Sequence, residues 1–433
     1  MYRIKNIIFL WALYFILIAS VVYAEKFEQY ILDNGLKIII KEDHCNPMVA
    51  LQVWYKIGDD YNNQYTSHIS ALLQQLVLNV NNNPHVEYLK KVIFANGDKY
   101  EASNDLYYSV YKHLAPATEL ENILELESFR MSNVVLNDEN IFNKEKHHFL
   151  IKTIFNNHIN KSEVALKKFY DTAYGYQSIQ PNHIEVLQLS ELNNWYKNWY
   201  NPNNAVIILV GAINIDKSLQ LIKRYFGVLT KHNNHLTVLD KELLNHELGY
   251  RRLEVKMPIN FPYLLVGYNV PSLNTAKHDW EPFAIEILVN LLKQYLINHG
   301  KLLTTVCDVE YNPFGKQSSL AYLSLIPLNS QNFTIIEDII WQQIEQLQSN
   351  TVVDIELATI KNKILTNHMY TQQSLFKQIT TIGKLEIAGY NFGLLEQYPK
   401  EIKRITAKQV QAVAKKYFIK EHLTVARILP EGS

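Results

Sequence analysis

Between Thr66 and Asn79 the chain reads "TSHISALLQQLVLN", and its apolar residues Ile69, Leu72, Leu73, Leu76 and Val77 recur at helical spacing. The pattern predicts a helix over 67–80, capped at its start by Thr66 or Ser67. Those five residues account for the face that looks at a core. The opposite face carries His68, Ala71, Gln74, Gln75 and Leu78, a set without charge. A surface helix ordinarily places Lys and Glu there.

The same pattern extends along the chain in two copies. "MVALQVWYKIGDD" leads into this helix, and "FPYLLVGYNVPSL" leads into a second predicted helix around Trp280 to Ile297. The halves also close alike: "LSELNNWYKNWYNPNNAVIILVGAI" (Leu189 to Ile213) and "ITAKQVQAVAKKYFIKEHLTVARILPE" (Ile405 to Glu431) each read as helix, polar turn and strand. Strands such as "KIIIKED" and "LEVKMPI", together with these helices, predict α+β halves of about two hundred residues each. Each half is expected to be an antiparallel or mixed sheet with helices packed on one face, the two arranged as a clamshell. The polar stretch Leu229 to Arg252 places the join, dividing the chain into an N-terminal domain over 25–232, a linker over 233–250 and a C-terminal domain over 251–433. A long helix is predicted from Leu136 to His158, opened by acidic residues as the helix dipole prefers.

Composition narrows the classes of function. A chain of 433 residues is too long for one ordinary core. Lys plus Arg and Asp plus Glu balance at 42 each, which argues against nucleic acid or an acidic membrane surface as a partner. The 28 tyrosines read as compositional drift. The N-terminus has a basic start at Arg3 and Lys5, an apolar run from Ile7 to Val22, and "VYA" ending at Ala24. It reads as a secretory signal over 1–24, cleaved before Glu25, with an uncleaved inner-membrane anchor as the alternative. No later segment is apolar enough to span a membrane, so the mature protein is expected in the periplasm. Cys45 and Cys307 fall in different halves and are expected to be two separate buried thiols.

Several segments together resemble the pitrilysin/insulinase family of inverted zinc peptidases, which includes the mitochondrial processing peptidases. "LDNGLKIIIKEDHCNPMVALQVWYKIG" resembles the family's first strands, and "WYNPNNAVIILVGAI" its domain-closing turn and strand. "YNPFGKQSSLAYLSLIPL" and "GKLEIAGYNF" resemble its second half in the short bacterial two-domain form. The family binds zinc through His-x-x-Glu-His on a helix and a Glu some seventy-odd residues later. Two His four residues apart reach one metal, and the Glu between them activates its water. Laid on this chain, the first His falls on Ala71, the base on Gln74, the second His on Gln75, and the distal Glu on Lys152 with Ile151 beside it. Ala71 has no donor atom, a Gln amide is a poor ligand and not basic, and an ammonium at 152 repels a dication. Zinc and hydrolysis are therefore expected to be absent. The family's peptide-binding strand falls on "NGDKYEASNDLYYSVY", at Asn96, Gly97, Glu101, Ala102 and Asn104, where Glu101 and Tyr107 depart from the family's polar signature. An edge strand there can still pair with a peptide through its backbone.

The resemblance implies a non-catalytic subunit that completes a peptide chamber with an active partner or a second copy. A stand-alone module binding peptides or unfolded segments is a second reading. A third is a metalloendopeptidase with a relocated site at His68 and His148, although "KEKHH" reads more simply as a solvated helix face. Asp59-Asp60 and "DNGLK" at 33–37 read as turns, and "NWYKNWY" as core anchors.

Overall fold

The computed structural model describes residues 27–57, 69–79, 84–105, 107–134, 136–175, 182–232, 249–299 and 303–431. The predicted leader over 1–24, Asp59-Asp60, His68 and residues 233–248 of the predicted linker lie outside them. The first half runs β1 (Glu28–Ile31), β2 (Lys37–Glu42), β3 (Met48–Tyr55), α1 (Ile69–Asn79), α2 (Pro84–Ala95), β4 (Lys99–Asn104), β5 (Ser109–Pro116), α3 (Leu120–Ser132), α4 (Glu139–Ile159), α5 (Lys161–Tyr174), a short α6 (Asn182–Glu185), α7 (Leu189–Trp199), β6 (Ala205–Gly211) and α8 (Ile215–Phe226). The second runs β7 (Arg251–Met257), β8 (Tyr263–Val270), α9 (Glu281–His299), β9 (Thr304–Glu310), β10 (Ser319–Pro327), α10 (Asn332–Ser349), α11 (Asp354–Gln372), α12 (Leu375–Ala388), α13 (Leu394–Arg404), α14 (Ala407–Tyr417) and β11 (Leu423–Pro430).

Local chemistry explains several boundaries. At the "DNGLK" turn the Asn34 side chain accepts from the Leu36 amide, and Gly35 takes a φ of 87° that favours glycine. Asp138 caps α4, its Oδ1 accepting from the Asn140 and Ile141 amides at 2.8 and 3.1 Å. The aromatics of "NWYKNWY" are core anchors: Tyr196 and Trp199 are buried, and the Tyr196 hydroxyl donates to the Arg130 carbonyl at 2.8 Å.

The two halves repeat one topology. The first sheet has the order β1-β2-β6-β3-β5-β4 and the second β7-β11-β8-β10-β9. In each, one parallel pair (β2 with β6, β7 with β11) leads into antiparallel pairs. Without β1 the two orders superpose strand for strand. This is the two-half, clamshell α+β architecture.

Each sheet has its own helices on one face and a borrowed helix on the other. Along β3, Val49, Leu51, Val53 and Tyr55 face the first half's main core, while Ala50 and Trp54 face a second cluster that contains Ile379, Ile382 and Ile387 of α12. The second sheet reciprocates: Leu265, Leu320, Ala426 and Ile428 pack against Ala165, Phe169 and Ala173 of α5. Central strands covered on both faces read as unbroken apolar runs, as "AVIILVG" of β6 does. The expected packing on one face thus describes each half's own helices, and the other half supplies the second layer.

Polar bonds line the same seam. Gln52 Nε2 donates to Thr380 Oγ1 at 2.8 Å, and Lys37 Nζ donates to Glu386 Oε2 at 2.5 Å. Cys45 is exposed in the turn between β2 and β3, and Cys307 is half-buried on β9. The thiols are thus in separate halves, but the expectation that both are buried is corrected, because a turn and an edge strand carry them. No helix among the described residues is long and apolar enough to cross a membrane.

Candidate functional site

The uncharged face of α1 is covered, which explains its composition. Gln74 is buried and Ala71, Gln75 and Leu78 are partly buried, lying against α4, β4 and β5. A Lys or Glu on this face would lose its hydration.

Each glutamine is engaged. Gln74 Nε2 donates to the Ser103 and Val110 carbonyls, both at 3.2 Å, and its Oε1 accepts from Asn104 Nδ2 at 2.6 Å. Asn104 Oδ1 in turn accepts from Ser109 Oγ. Gln75 Nε2 donates to Glu145 Oε2 of α4 at 2.9 Å. The residue opposite Gln75 is therefore Glu145, two helical turns before Lys152. Lys152 and Ile151 are exposed on α4. The family's spacing points past Glu145 to Lys152, although i and i+7 share a helix face and 145 offers the carboxylate that 152 lacks.

This donor set does not suit zinc. Ala71 contributes nothing, the two amides are weak ligands already bonded to protein, and Glu145 is the carboxylate that meets Gln75 across the helix pair. Among the described residues, no group of three or more His, Cys, Asp or Glu is placed to hold a metal ion. Of the relocated pair, His68 lies outside the described residues. His148 is exposed on α4, its Nδ1 4.0 Å from Glu145 Oε1. Its neighbour His147 is exposed too, so "KEKHH" is a solvated face.

The predicted peptide strand is β4, and it is an edge of the first sheet. Asn96 and Gly97 form the turn before it: Asn96 Nδ2 donates to Glu119 Oε1 at 2.8 Å, and Gly97 has a φ of 90°. Glu101 lies 3.1 Å from Lys99 on the exposed side, and Ala102 packs against the main core. Asn104 ends the strand, and Asp105 directly after it reaches a cavity of about 1060 Å³ between the two halves. Tyr107, Tyr108, Tyr170, Tyr174, Tyr311 and Tyr417 all line this cavity. Part of the high tyrosine content thus has a place in the fold.

Behind β5 lies a second polar group, fully enclosed. His113 Nδ1 is 2.7 Å from Asp98 Oδ2 and its Nε2 is 2.8 Å from Glu127 Oε1. Arg130 bonds the same Glu127 oxygen and lies over the Tyr111 ring, 4.3 Å from its centroid. Burial opposes charge on His113, but the hydrogen bonds to both carboxylates outweigh it and raise its pKa. Here the sequence offered no periodic signal.

The family model described as "Peptidase M16 inactive domain" matches residues 187–364. The chain is similar to "Zinc protease PqqE" of Helicobacter pylori, 23% identical over 281 residues. That match covers 62% of this chain and 62% of the relative, so the chain is aligned to about six tenths of that relative's length. Among solved structures it is similar to a protease from Helicobacter pylori, with a TM-score of 0.81 at 19% identity over 94% of this chain and 100% of that one. The first half of the periplasmic protease PqqL from Escherichia coli gives a TM-score of 0.76 at 15% identity, covering 94% and 92% of the two chains.

Proposed function

We propose that the chain, which is similar in fold to M16 peptidases over most of its length, is a non-catalytic homologue of an exported zinc metallopeptidase, which holds a peptide between its two halves without cutting it. One observation carries this reading. Where a base and a ligand would stand, Gln74 and Gln75 are amides spent on hydrogen bonds to Ser103, Val110 and Glu145. An amide neither takes a proton from water near neutral pH nor competes for zinc.

The remaining parts suit binding. The tyrosine-lined cavity offers apolar faces with polar tips, and edge strand β4 offers backbone groups that need no particular side chain to pair. Export is proposed from the segment 1–24 and from the likeness to a protease described as periplasmic. The chamber is completed by an active peptidase or a second copy, or it works alone as a module for unfolded segments.

The test is a peptidase assay on the mature chain with and without added zinc, alone and with any co-purifying protein. No cleavage by the chain alone in either condition, together with retention of a labelled unfolded protein, supports the reading. Zinc-dependent cleavage lost on His68→Ala would replace it with the relocated-site enzyme.

A further inference from the structure

Gln74 makes a set of bonds that the family's glutamate could not make. Its amide nitrogen donates to two carbonyls, those of Ser103 on β4 and Val110 on β5. A carboxylate has no donor, so a glutamate here would press its charge against both oxygens. The side-chain oxygen meanwhile accepts from Asn104, which is itself bonded by Ser109. The assignment of the amide is fixed by its partners, since carbonyl oxygens only accept.

The placement of these partners is informative. Ser103 faces Val110 and Asn104 faces Ser109 in the β4–β5 ladder, so they are its last two pairs. One side chain from α1 therefore spans both strands at the end of the hairpin nearest the cavity. Ser109 Oγ also lies 3.3 Å from the Ile57 carbonyl just beyond β3, which extends the connection to a third strand. Among the described residues β4 pairs with β5 alone, leaving its outer edge without a strand. An edge strand that is to receive a peptide must be held extended and in register, because it lacks a neighbour on one side.

We propose that Gln74 is the positioning residue for this edge: its amide holds the cavity end of the β4–β5 hairpin and thereby sets the affinity for an extended peptide. The position has exchanged proton transfer for strand positioning, so its amide is required where a glutamate would be harmful. The part concerning peptide rests on the peptide-binding reading above, whereas the hold on the hairpin does not.

The test uses the full mature chain with Gln74→Met, which keeps bulk and loses the bonds, and Gln74→Glu, which keeps shape and reverses the chemistry. Hydrogen exchange is followed at the backbone amides of 101–104 and 109–111, and binding with fluorescein-labelled unfolded casein. Both variants are expected to exchange about tenfold faster in the hairpin at about pH 8 and to bind casein about tenfold more weakly, as for loss of a buried hydrogen-bonded group. Gln74→Glu is further expected to recover toward wild type at about pH 5, because burial against two carbonyls favours the neutral acid, which can donate to one of them. A scaffold role elsewhere would not produce recovery in that variant alone, and the recovery keeps the test decisive should Gln74→Met not fold. Unchanged hairpin exchange in the variants overturns the inference, as does faster exchange with unaltered casein binding. Failure of the wild type itself to bind casein overturns the peptide-binding reading instead, and the exchange data then decide separately whether Gln74 holds the hairpin.

Discussion

Gly383 on α12 packs against the Trp54 indole of β3 so closely that no Cβ fits between them. The contact joins the second half's helix to the first half's sheet, beside the Gln52–Thr380 hydrogen bond. An alanine in a helix ordinarily gains about 1 kcal/mol over glycine, but here it would force the indole or the helix aside. Gly383→Ala is predicted to destabilise the protein by about 1–3 kcal/mol. Thermal unfolding measures it, and adding Trp54→Leu is expected to restore part of the loss.

The reciprocal contact runs the other way. Phe169 of α5 in the first half fills the space over Gly267 of β8 in the second, its Cζ 2.7 Å from where a Cβ would stand. Phe169→Ala is predicted to cost about 3–5 kcal/mol. If the halves are held by these exchanged helices, limited proteolysis of that variant should show earlier cleavage in both halves than in wild type.

The buried His113 group predicts a pH window. Its raised pKa means stability that is complete below the unfolded value of 6.5 and lost as pH rises through the folded one. Burial pushes Glu127 up, but Arg130 and His113 outweigh it and hold its carboxyl below the ordinary 4.5, so its contribution is present above 4.5 and lost as pH falls. The two coincide between 4.5 and 6.5. His113→Gln leaves the charges poorly paired and is predicted to cost about 3–5 kcal/mol there. The gap in denaturant midpoint between variant and wild type should be widest near about pH 5.5 and narrow as pH rises.

Glu286 on α9 gives the opposite design, a carboxyl without a charged partner among the described residues. Tyr398 donates to its Oε1 at 2.6 Å, while Oε2 is shielded from solvent and has no hydrogen-bond partner among the described residues. Burial pushes its pKa up to about 7 despite the Tyr398 bond. Stability is therefore complete below the ordinary 4.5 and declines as pH rises through about 7. Glu286→Gln should raise the melting temperature relative to wild type at about pH 8 and change it little at about pH 5.

Much of this arrangement was legible in the residues. The spacing of Ile69, Leu72, Leu73, Leu76 and Val77 located α1 and its buried face, and all five are buried. The repeated strand–helix–strand plan was legible because each half carries the same punctuation, and the two sheets share one strand order. Reading helices onto one face missed the exchange of α5 and α12, although "MVALQVWY" and "AVIILVG" are apolar on both faces and carried the signal. Glu145 escaped because linear alignment points to Lys152, and only the packing of α1 on α4 decides which turn meets Gln75. The His113 group and the cavity tyrosines come from distant segments, and no local period marks such residues.

On the proposed reading, α1 keeps the helix of a zinc peptidase while Gln74 and Gln75 spend their side chains on hydrogen bonds instead of on metal chemistry. Zinc content of the purified mature chain, measured after incubation with excess zinc and removal of unbound metal, tests it most directly. The account predicts far less than one zinc per chain, unaltered by Glu145→Ala or His148→Ala. One zinc per chain, lost on either substitution, would contradict it.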